Sequence, residues 1–562
     1  MKTLLIYPYF LDPRLDEKDV EVVPQGLYYV AAVLQAAGVE TVVADLHGFR
    51  GRSEAIRERI AAIQPDVIGI SVLHANRWGA VDIARIAKAV RPETPVVFGG
   101  VGATFLWDHF LLRFPEIDYV VLGEGEYSFL ELVRALDAGD AGAVRGIRGL
   151  AFRDAGHPVR TGPREPIPDL DALPHPARTF TYSHILLSRG CPGRCTFCAS
   201  PRFWPGPLRS HSADYFLDEL EMLSDRGVGH FFISDDTFTL DPAKVMAICR
   251  GIIERNLSIT WQAISRVDHV SAKLLFWMRK AGCIQISYGV ESGSAAVRRR
   301  LGKPLQPEKI RRAFALTTRF GILSRAYFIY GSPGETWDTI QATVDLMLQI
   351  KPLAAIFYVL TLFPGTALAD GFLRKTGKSD DVWLERREDI PYCETDPGLS
   401  CDLVVTFGRT LRKRFYEMLP DAVAAIHLDS KASLRPLHAD FLSRLGMTFH
   451  QGDYSRVDAI PDKASIAYRL YRRALDLYPD SRALLGLAML QQQAGETGSA
   501  EKTLRDGIRE FPEDIPLALC LGIHFMNQGR WDEALAVLGR FAENPEIRPY
   551  LDECRRRSPR SP

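Results

Sequence analysis

The stretch SRGCPGRCTFCASP, residues 188–201, sets three of the nine cysteines in a C-x3-C-x2-C pattern: Cys191, Cys195 and Cys198. Thiolates are soft metal ligands. Structural zinc takes four Cys or His ligands, usually in two pairs. Here there are three, and the nearest further cysteines, Cys249 and Cys283, are isolated in helix-like and strand-like contexts. Three thiolates on a four-iron cluster would leave one iron open to a chelating group. Pro192 and Gly193 suit a tight loop around such a cluster, and the run follows an apolar strand, HILLS at 184–188. From these residues alone, a zinc loop and incidental cysteines stay open.

Outward from this loop, strand-like and helix-like runs alternate. Downstream come HFFISDD, ITWQAISRV, CIQISYGVES, ILSRAYFIYGSPGE and AAIFYVLTLFPGT. With the strand before the cysteines this makes about six βα units, short of an eight-unit barrel, so residues 181–380 predict a partial (β/α)6 barrel. Upstream, KTLLIYPYF, ETVVADLH, PDVIGISVL, TPVVFGGVG and DYVVLGEGE alternate with helical stretches over residues 1–140. That pattern predicts a doubly wound, Rossmann-like parallel sheet covered on both faces, with ligands at the glycine loops after its strands. Residues 141–180, rich in proline and charge, read as a linker. Residues 381–460 read as a helical connection.

The tail, 461–562, carries a weak repeat: Leu485, Leu487, Gly495 and Ala500 recur 34 residues on, as Leu519, Leu521, Gly529 and Ala534. That period resembles tetratricopeptide repeats; two generic helical hairpins are the alternative. So short an array is expected to pack on what precedes it. At 562 residues the chain is long enough for roughly two to four domains. Lys+Arg and Asp+Glu are equal at 69 each, so no nucleic-acid or anionic-membrane surface is expected. The opening MKTLLIYPYFLDPRLDEKD reads as a first strand rather than a signal peptide. No apolar run of about 18 residues predicts a membrane span. A cytoplasmic location is expected, where clustered cysteines are more often metal ligands or catalytic groups.

With the later strands in place, CPGRCTFC resembles the signature of the radical S-adenosylmethionine (radical SAM) enzymes, including the aromatic Phe197 before the last cysteine. The resemblance implies that Cys191, Cys195 and Cys198 hold a [4Fe-4S] cluster. The open iron would chelate S-adenosylmethionine, whose reductive cleavage gives a 5′-deoxyadenosyl radical. An electron donor such as flavodoxin or ferredoxin is implied too. Asp235 and Asp236 of FFISDDTF are candidates for the methionine ammonium, the alternative being a cap for the next helix. Arg266 of AISRVD is a candidate for the methionine carboxylate, or a surface ion pair. Glu291 and Ser292 of YGVESGS suit ribose or carboxylate contacts. Gly331 and Glu335 of GSPGET lie where the family places the adenine.

A doubly wound domain before such a barrel resembles the cobalamin-binding subfamily. The pieces are PQGLYYVAAVL at 24–34, GISVL at 69–73, GGVGAT at 99–104 and LGEGEYSF at 122–129. Ser71, Gly99, Gly100, Gly123, Glu124 and Gly125 are the implied cobalamin contacts; a flavodoxin-like or nucleotide domain is the runner-up for the fold alone. DLHG at 45–48 only partly matches the pattern that gives cobalt a histidine: it follows the second strand, and Arg50 stands where a glycine is needed. The first loop, YPYFLDPRLDEKD, has no histidine, so no imidazole is expected from it. His74 is either a lower-face ligand or a solvated loop residue. Tyr392 and Cys393 read as packing or as barrel-mouth contacts.

The two cofactors together imply a methyltransferase acting on an unactivated carbon or on phosphorus of a small molecule or natural product, through methylcobalamin and the deoxyadenosyl radical. Radical cyclisation or rearrangement without methyl transfer is the alternative. A further one is a tail that docks a carrier-bound or peptide substrate.

Overall fold

The computed structural model describes residues 1–11, 25–387, 389–396 and 398–558. The first sheet has seven strands: β1 (Lys2–Tyr7), β2 (Glu40–Asp45), β3 (Val67–Ser71), β4 (Val96–Gly99), β5 (Tyr119–Val121), β6 (Leu150–Asp154) and β7 (His157–Arg160). Their order is β2-β1-β3-β4-β5-β6-β7, parallel through β5 and antiparallel beyond it. The parallel strands are continuous apolar runs because helices cover both faces, and two separate apolar cores lie on either side of the sheet.

β6 and β7 correct the reading of 141–180 as a linker. GLAFRDAGHPVR forms a hairpin, its turn made by Ala155 and Gly156 at φ 47° and 83°. Such a turn twists with its strands. Here the hairpin extends the edge of the sheet beyond β5. The segment also holds a short helix, Ala141–Gly146, capped by the Asp140 carboxylate.

The second sheet begins at β8 (His184–Ile185). A small antiparallel pair, β9 (Ser188–Arg189) and β10 (Arg209–Ser210), brackets the cysteine loop. Then follow β11 (His230–Ile233), β12 (Thr260–Ser265), β13 (Cys283–Glu291), β14 (Leu323–Tyr330) and β15 (Ala354–Val359). The order is β15-β14-β13-β12-β11-β8, all parallel: a six-stranded partial barrel. Its outward residues, such as Trp261, Tyr288 and Phe328, are fully buried beneath the surrounding helices.

The helices after the barrel do not stand apart. Cys401–Ala424, Arg435–His450, Lys463–Leu477 and Ser481–Gln493 share one apolar core with the barrel, joined through Phe415, Leu442 and Tyr471. Tyr454 donates to the Leu353 carbonyl at 2.7 Å, just before β15, and Arg279 pairs with Asp440 at 2.8 Å. These contacts lie at the N-terminal ends of the strands, opposite the cysteine loop. Thr497–Glu510, Ile515–Asn527, Trp531–Leu538 and Arg548–Arg557 build a smaller core of their own. The repeating residues take equivalent places: Ala500 and Ala534 are buried between helices, and Gly495 and Gly529 turn at φ 77° and 72°. Among the described residues no helix is long and apolar enough to cross a membrane.

Candidate functional site

The cysteine loop is clamped from the far side of the barrel. Thr196 N donates to Leu301 O at 3.0 Å, Leu368 N to Thr196 O at 2.9 Å, and Gly302, at φ 68°, lets the backbone reach Arg194. Gly193 supplies the space between the thiols. A Cβ there would sit 3.3 Å from Cys191 Sγ and 3.8 Å from Cys195 Sγ, with Arg266 Nη1 at 3.9 Å. Burial pushes the Cys198 thiol up to about 11. It raises Cys195 too, against the opposing pull of Lys303 and Arg266. Among the described residues no three His, Cys, Asp or Glu side chains converge as single-ion ligands. A four-iron cluster makes no such demand, because each thiolate binds a different iron. The half-buried thiols around a glycine-lined space therefore fit a cluster better than a zinc ion. Phe197 packs on Val297, Leu301, Ile329 and Leu360 and so anchors the loop.

The other barrel residues divide into two groups. Arg266, at the end of β12, forks onto Asp268 at 2.9 and 3.0 Å and keeps its third nitrogen toward the cysteine loop. Glu291, at φ 66° where β13 bulges, pairs with Lys303 at 2.7 Å, buried beside Cys195. Glu335 accepts from the Gly331 and Ser332 N–H groups, while its second oxygen is buried with no partner among the described residues; burial raises its carboxyl to about 7. Gly331 takes the φ of 77° that this turn requires.

Asp235, Asp236 and Ser292 are spent internally. Asp235 accepts from Leu187 N at 2.7 Å and from Ser188 Oγ, and Asp236 accepts from Ser200 Oγ. Both aspartates brace the two ends of the cysteine loop. Neither caps the following helix; Asp241 does. Ser292 bonds Thr343 Oγ1 and the Ser294 N–H.

A cavity of about 470 Å³ opens at the C-terminal edge of the first sheet. Tyr7, Ser71, Gly99, Gly100, Gly123 and Gly125 line it, with a wall from the barrel made by Leu186, Arg189, Ser200, Phe203 and Trp204. Its surface is mostly apolar, in the manner of small-molecule sites. The Tyr7 hydroxyl, at the end of β1, is buried with no partner among the described residues, and a Cβ on Gly123 would meet nothing within 4 Å. An orphaned hydroxyl and open glycine edges around an apolar hollow fit an arm of a large amphipathic macrocycle.

Glu124, read as a cofactor contact, lines this cavity and is also a joint to the barrel. It meets Arg209 at 2.7 Å, Arg189 at 3.2 Å and the Ile167 N–H at 2.6 Å, while Glu126 meets Arg189 at 2.6 Å. Arg189 lies over the Tyr29 and Trp204 rings. This joint escaped the sequence reading because its partners are some sixty residues apart, as in Glu126 and Arg189. Tyr7 was missed because a tyrosine ending an apolar strand looks like core.

His74 is not the solvated loop residue that is one of its two readings. It is buried, packs edge-on against Phe363 at 5.0 Å, and is not among the residues lining the cavity. His47 lies in a one-turn helix with its ring edge on Phe10 at 5.2 Å. The first loop's lack of histidine concerns residues that, past Leu11, lie outside those described. Cys393 is packed beside Tyr330 and Leu399, with its sulfur 3.2 Å from that of Cys401.

A family model described as B12 binding domain matches residues 15–133, and the Radical SAM superfamily model matches residues 185–347. The uncharacterized methyltransferase PH0819 of Pyrococcus horikoshii is 32% identical over 357 residues, 61% of this chain and 77% of the relative. The anaerobic magnesium-protoporphyrin IX monomethyl ester cyclase of Rubrivivax gelatinosus is 30% identical, over 63% and 68% respectively. The structure of TsrM, a radical SAM methyltransferase from Kitasatospora setae with cobalamin and a [4Fe-4S] cluster bound, shares the fold. Its TM-score is 0.61 at 18% identity, covering 85% of this chain and 99% of that one. The chain belongs to the cobalamin-binding radical SAM enzymes, whose cofactors are a [4Fe-4S] cluster, S-adenosylmethionine and cobalamin.

Proposed function

We propose that this enzyme methylates an unactivated carbon, or a phosphorus, of a small molecule or natural product. The observation that carries the reading is a shared wall. Arg189 and Ser200, which flank the cysteine triad by two residues on each side, also line the cavity of the first domain. When bound, the cluster with S-adenosylmethionine supplies a hydrogen-abstracting radical, and the cobalamin supplies a transferable methyl group.

The chain's own part is placement. Cys191, Cys195 and Cys198 hold the cluster. Arg266 and Lys303 bring positive charge against the thiolates, which favours their ionised, ligating form. The free Glu335 oxygen and the Gly331 turn offer polar contacts to S-adenosylmethionine, and the Arg266 nitrogen beside the loop offers one to its carboxylate. Glu291, tied to Lys303, keeps that lysine over the loop. Asp235 and Asp236 act as positioning residues for the triad. Tyr7, Ser71 and the glycines at 99, 100, 123 and 125 receive the cobalamin. An electron donor of the flavodoxin or ferredoxin kind completes the system. Relatives named as methyltransferases support the methyl step, among them a cytidylyl-2-hydroxyethylphosphonate methyltransferase of Streptomyces wedmorensis and a hopanoid C-3 methylase of Methylococcus capsulatus.

The test is anaerobic turnover of the reconstituted enzyme with a reductant and candidate substrates. S-adenosylhomocysteine and 5′-deoxyadenosine should appear together with a methylated product, and alanine at all three cysteines should abolish deoxyadenosine. Substrate-dependent deoxyadenosine with no S-adenosylhomocysteine would favour the second reading, radical cyclisation, which the 30% identity to the Rubrivivax gelatinosus cyclase supports. The helical tail bears on the barrel end remote from the cysteine loop, which favours a structural role over docking of a carrier.

A further inference from the structure

Three large apolar side chains that face into the barrel are open to solvent, although the opposite face of β11, β12 and β14 is sealed. Phe232 is 38% exposed, Ile264 36% and Tyr358 50%, while Phe231, Trp261 and Phe328 are fully buried. The strand registers explain this. Ile264, Ser287, Arg325 and Ala354 stand side by side on β12, β13, β14 and β15. Phe232, Gln262, Gln285 and Leu323 form the row toward the strand starts, and Gly289, Tyr327 and Ile356 the row toward the strand ends. Side chains alternate across a strand, so these rows face the lumen, and the exposed rings are its bare walls. Tyr327 and Tyr358 meet edge to face at 5.8 Å. Leu186, just past β8, belongs to the wall of the first domain's cavity, so that cavity and the barrel meet there.

Arg325 is the anomaly in this lumen. It is half-buried, and among the described residues it has no carboxylate within ion-pair range and no hydrogen bond. The carboxylate of Glu291, on β13, is already held by Lys303 at 2.7 Å. The Arg325 guanidinium is left open to an anion entering the lumen, and the planar fork matches a carboxylate with two parallel bonds. Ser287, its register neighbour, adds a hydroxyl.

We propose that the lumen takes a substrate with an apolar, ring-containing body that carries a carboxylate, and that Arg325 receives that carboxylate. This deepens the methyl-transfer reading above and rests on its placement of the reaction at this barrel. The rings of Phe232, Tyr327 and Tyr358, with Ile264, contact the body, and the anchored acid fixes which carbon faces the cysteine loop.

The probes are naphthylacetate and its neutral amide, titrated by fluorescence anisotropy into the anaerobically reconstituted holoenzyme. The acid should bind tighter than the amide by roughly ten- to a hundred-fold, the worth of hydrogen bonds to a charged group. Arg325→Gln should erase that difference with unchanged cluster and cobalamin absorbance, Arg325→Lys should keep part of it, and Ile264→Trp should weaken both probes. Equal binding of acid and amide to the unaltered enzyme, no binding of the acid, or an acid preference that survives Arg325→Gln overturns the proposal. Binding is read without turnover, so a failure of methyl transfer leaves this result standing.

Discussion

At the scale of single residues, burial has been used to shift carboxylates rather than to silence them. Glu219 lies wholly inside the barrel's helical layer, accepts from the Tyr182 hydroxyl, and has no partner for its second oxygen among the described residues. Burial raises its carboxyl to about 7 from 4.5. The folded protein therefore holds this proton where the unfolded chain has lost it. Below pH 4.5 both states are protonated and Glu219 is neutral to stability. As pH climbs from there the unfolded state ionises first, so stability falls, and the loss levels off above about 7. Glu219→Gln should remove this slope: its melting temperature should gain on the parent's more at pH 8 than at pH 5. Parallel melting curves at the two pH values would contradict that. Chemical denaturation across the same range gives a second measure.

At the scale of elements, the decisive joint is the two-residue strand β9. Ser188 and Arg189 pair with Arg209 and Ser210 in a ladder too short to be stable alone. Side chains hold it: Asp235 accepts from Ser188, and Arg189 is clamped by Glu124 and Glu126 from the first domain. Removing the guanidinium would leave the Glu126 carboxylate buried without its ion-pair partner, while Glu124 keeps Arg209. Arg189→Met should cost about 3–5 kcal/mol in denaturant unfolding, as expected when one partner of a buried pair is removed. It should also lower both iron and cobalamin content, because the strand leads into the cysteine loop and lines the cavity. Adding Glu126→Gln should return part of the stability but not the loading. If Arg189→Met binds both cofactors like the parent, β9 is not the element that joins the two sites.

At the scale of the whole molecule, the tail is continuous with the catalytic core. Ile466, Leu470, Tyr471 and Leu487 share one apolar cluster with barrel residues such as Met278 and Phe314. Ending the chain at residue 459 would bare that cluster at the barrel's N-terminal end. Exposed apolar surface of this kind drives aggregation. The truncated protein should be insoluble, or melt well below the parent, even with small substrates. Removal of residues 511–562 should be milder, because that part closes a separate small core. A stable, cofactor-loaded protein ending at 459 would restore the docking reading of the tail.

The sequence by itself determined the two parallel sheets, their strands and the cysteine triad, because each rests on local signals: apolar runs of strand length, glycines at strand ends, and thiols at fixed short spacing. The hairpin at 150–160 was equally local, and its Ala-Gly turn was overlooked amid prolines and charges. Tertiary structure alone decided what the carboxylates do. Asp235, Asp236 and Glu124 sit where ligand contacts are expected, yet their oxygens are taken by Leu187, Ser188, Ser200, Arg189 and Arg209. Arg325 conversely looks like any polar residue on a strand until six strands curl and leave it half-buried, with no carboxylate partner among the described residues. A side chain's role depends on which donors and charges the fold brings within about 3 Å of it, and those partners lie tens to hundreds of residues away along the chain.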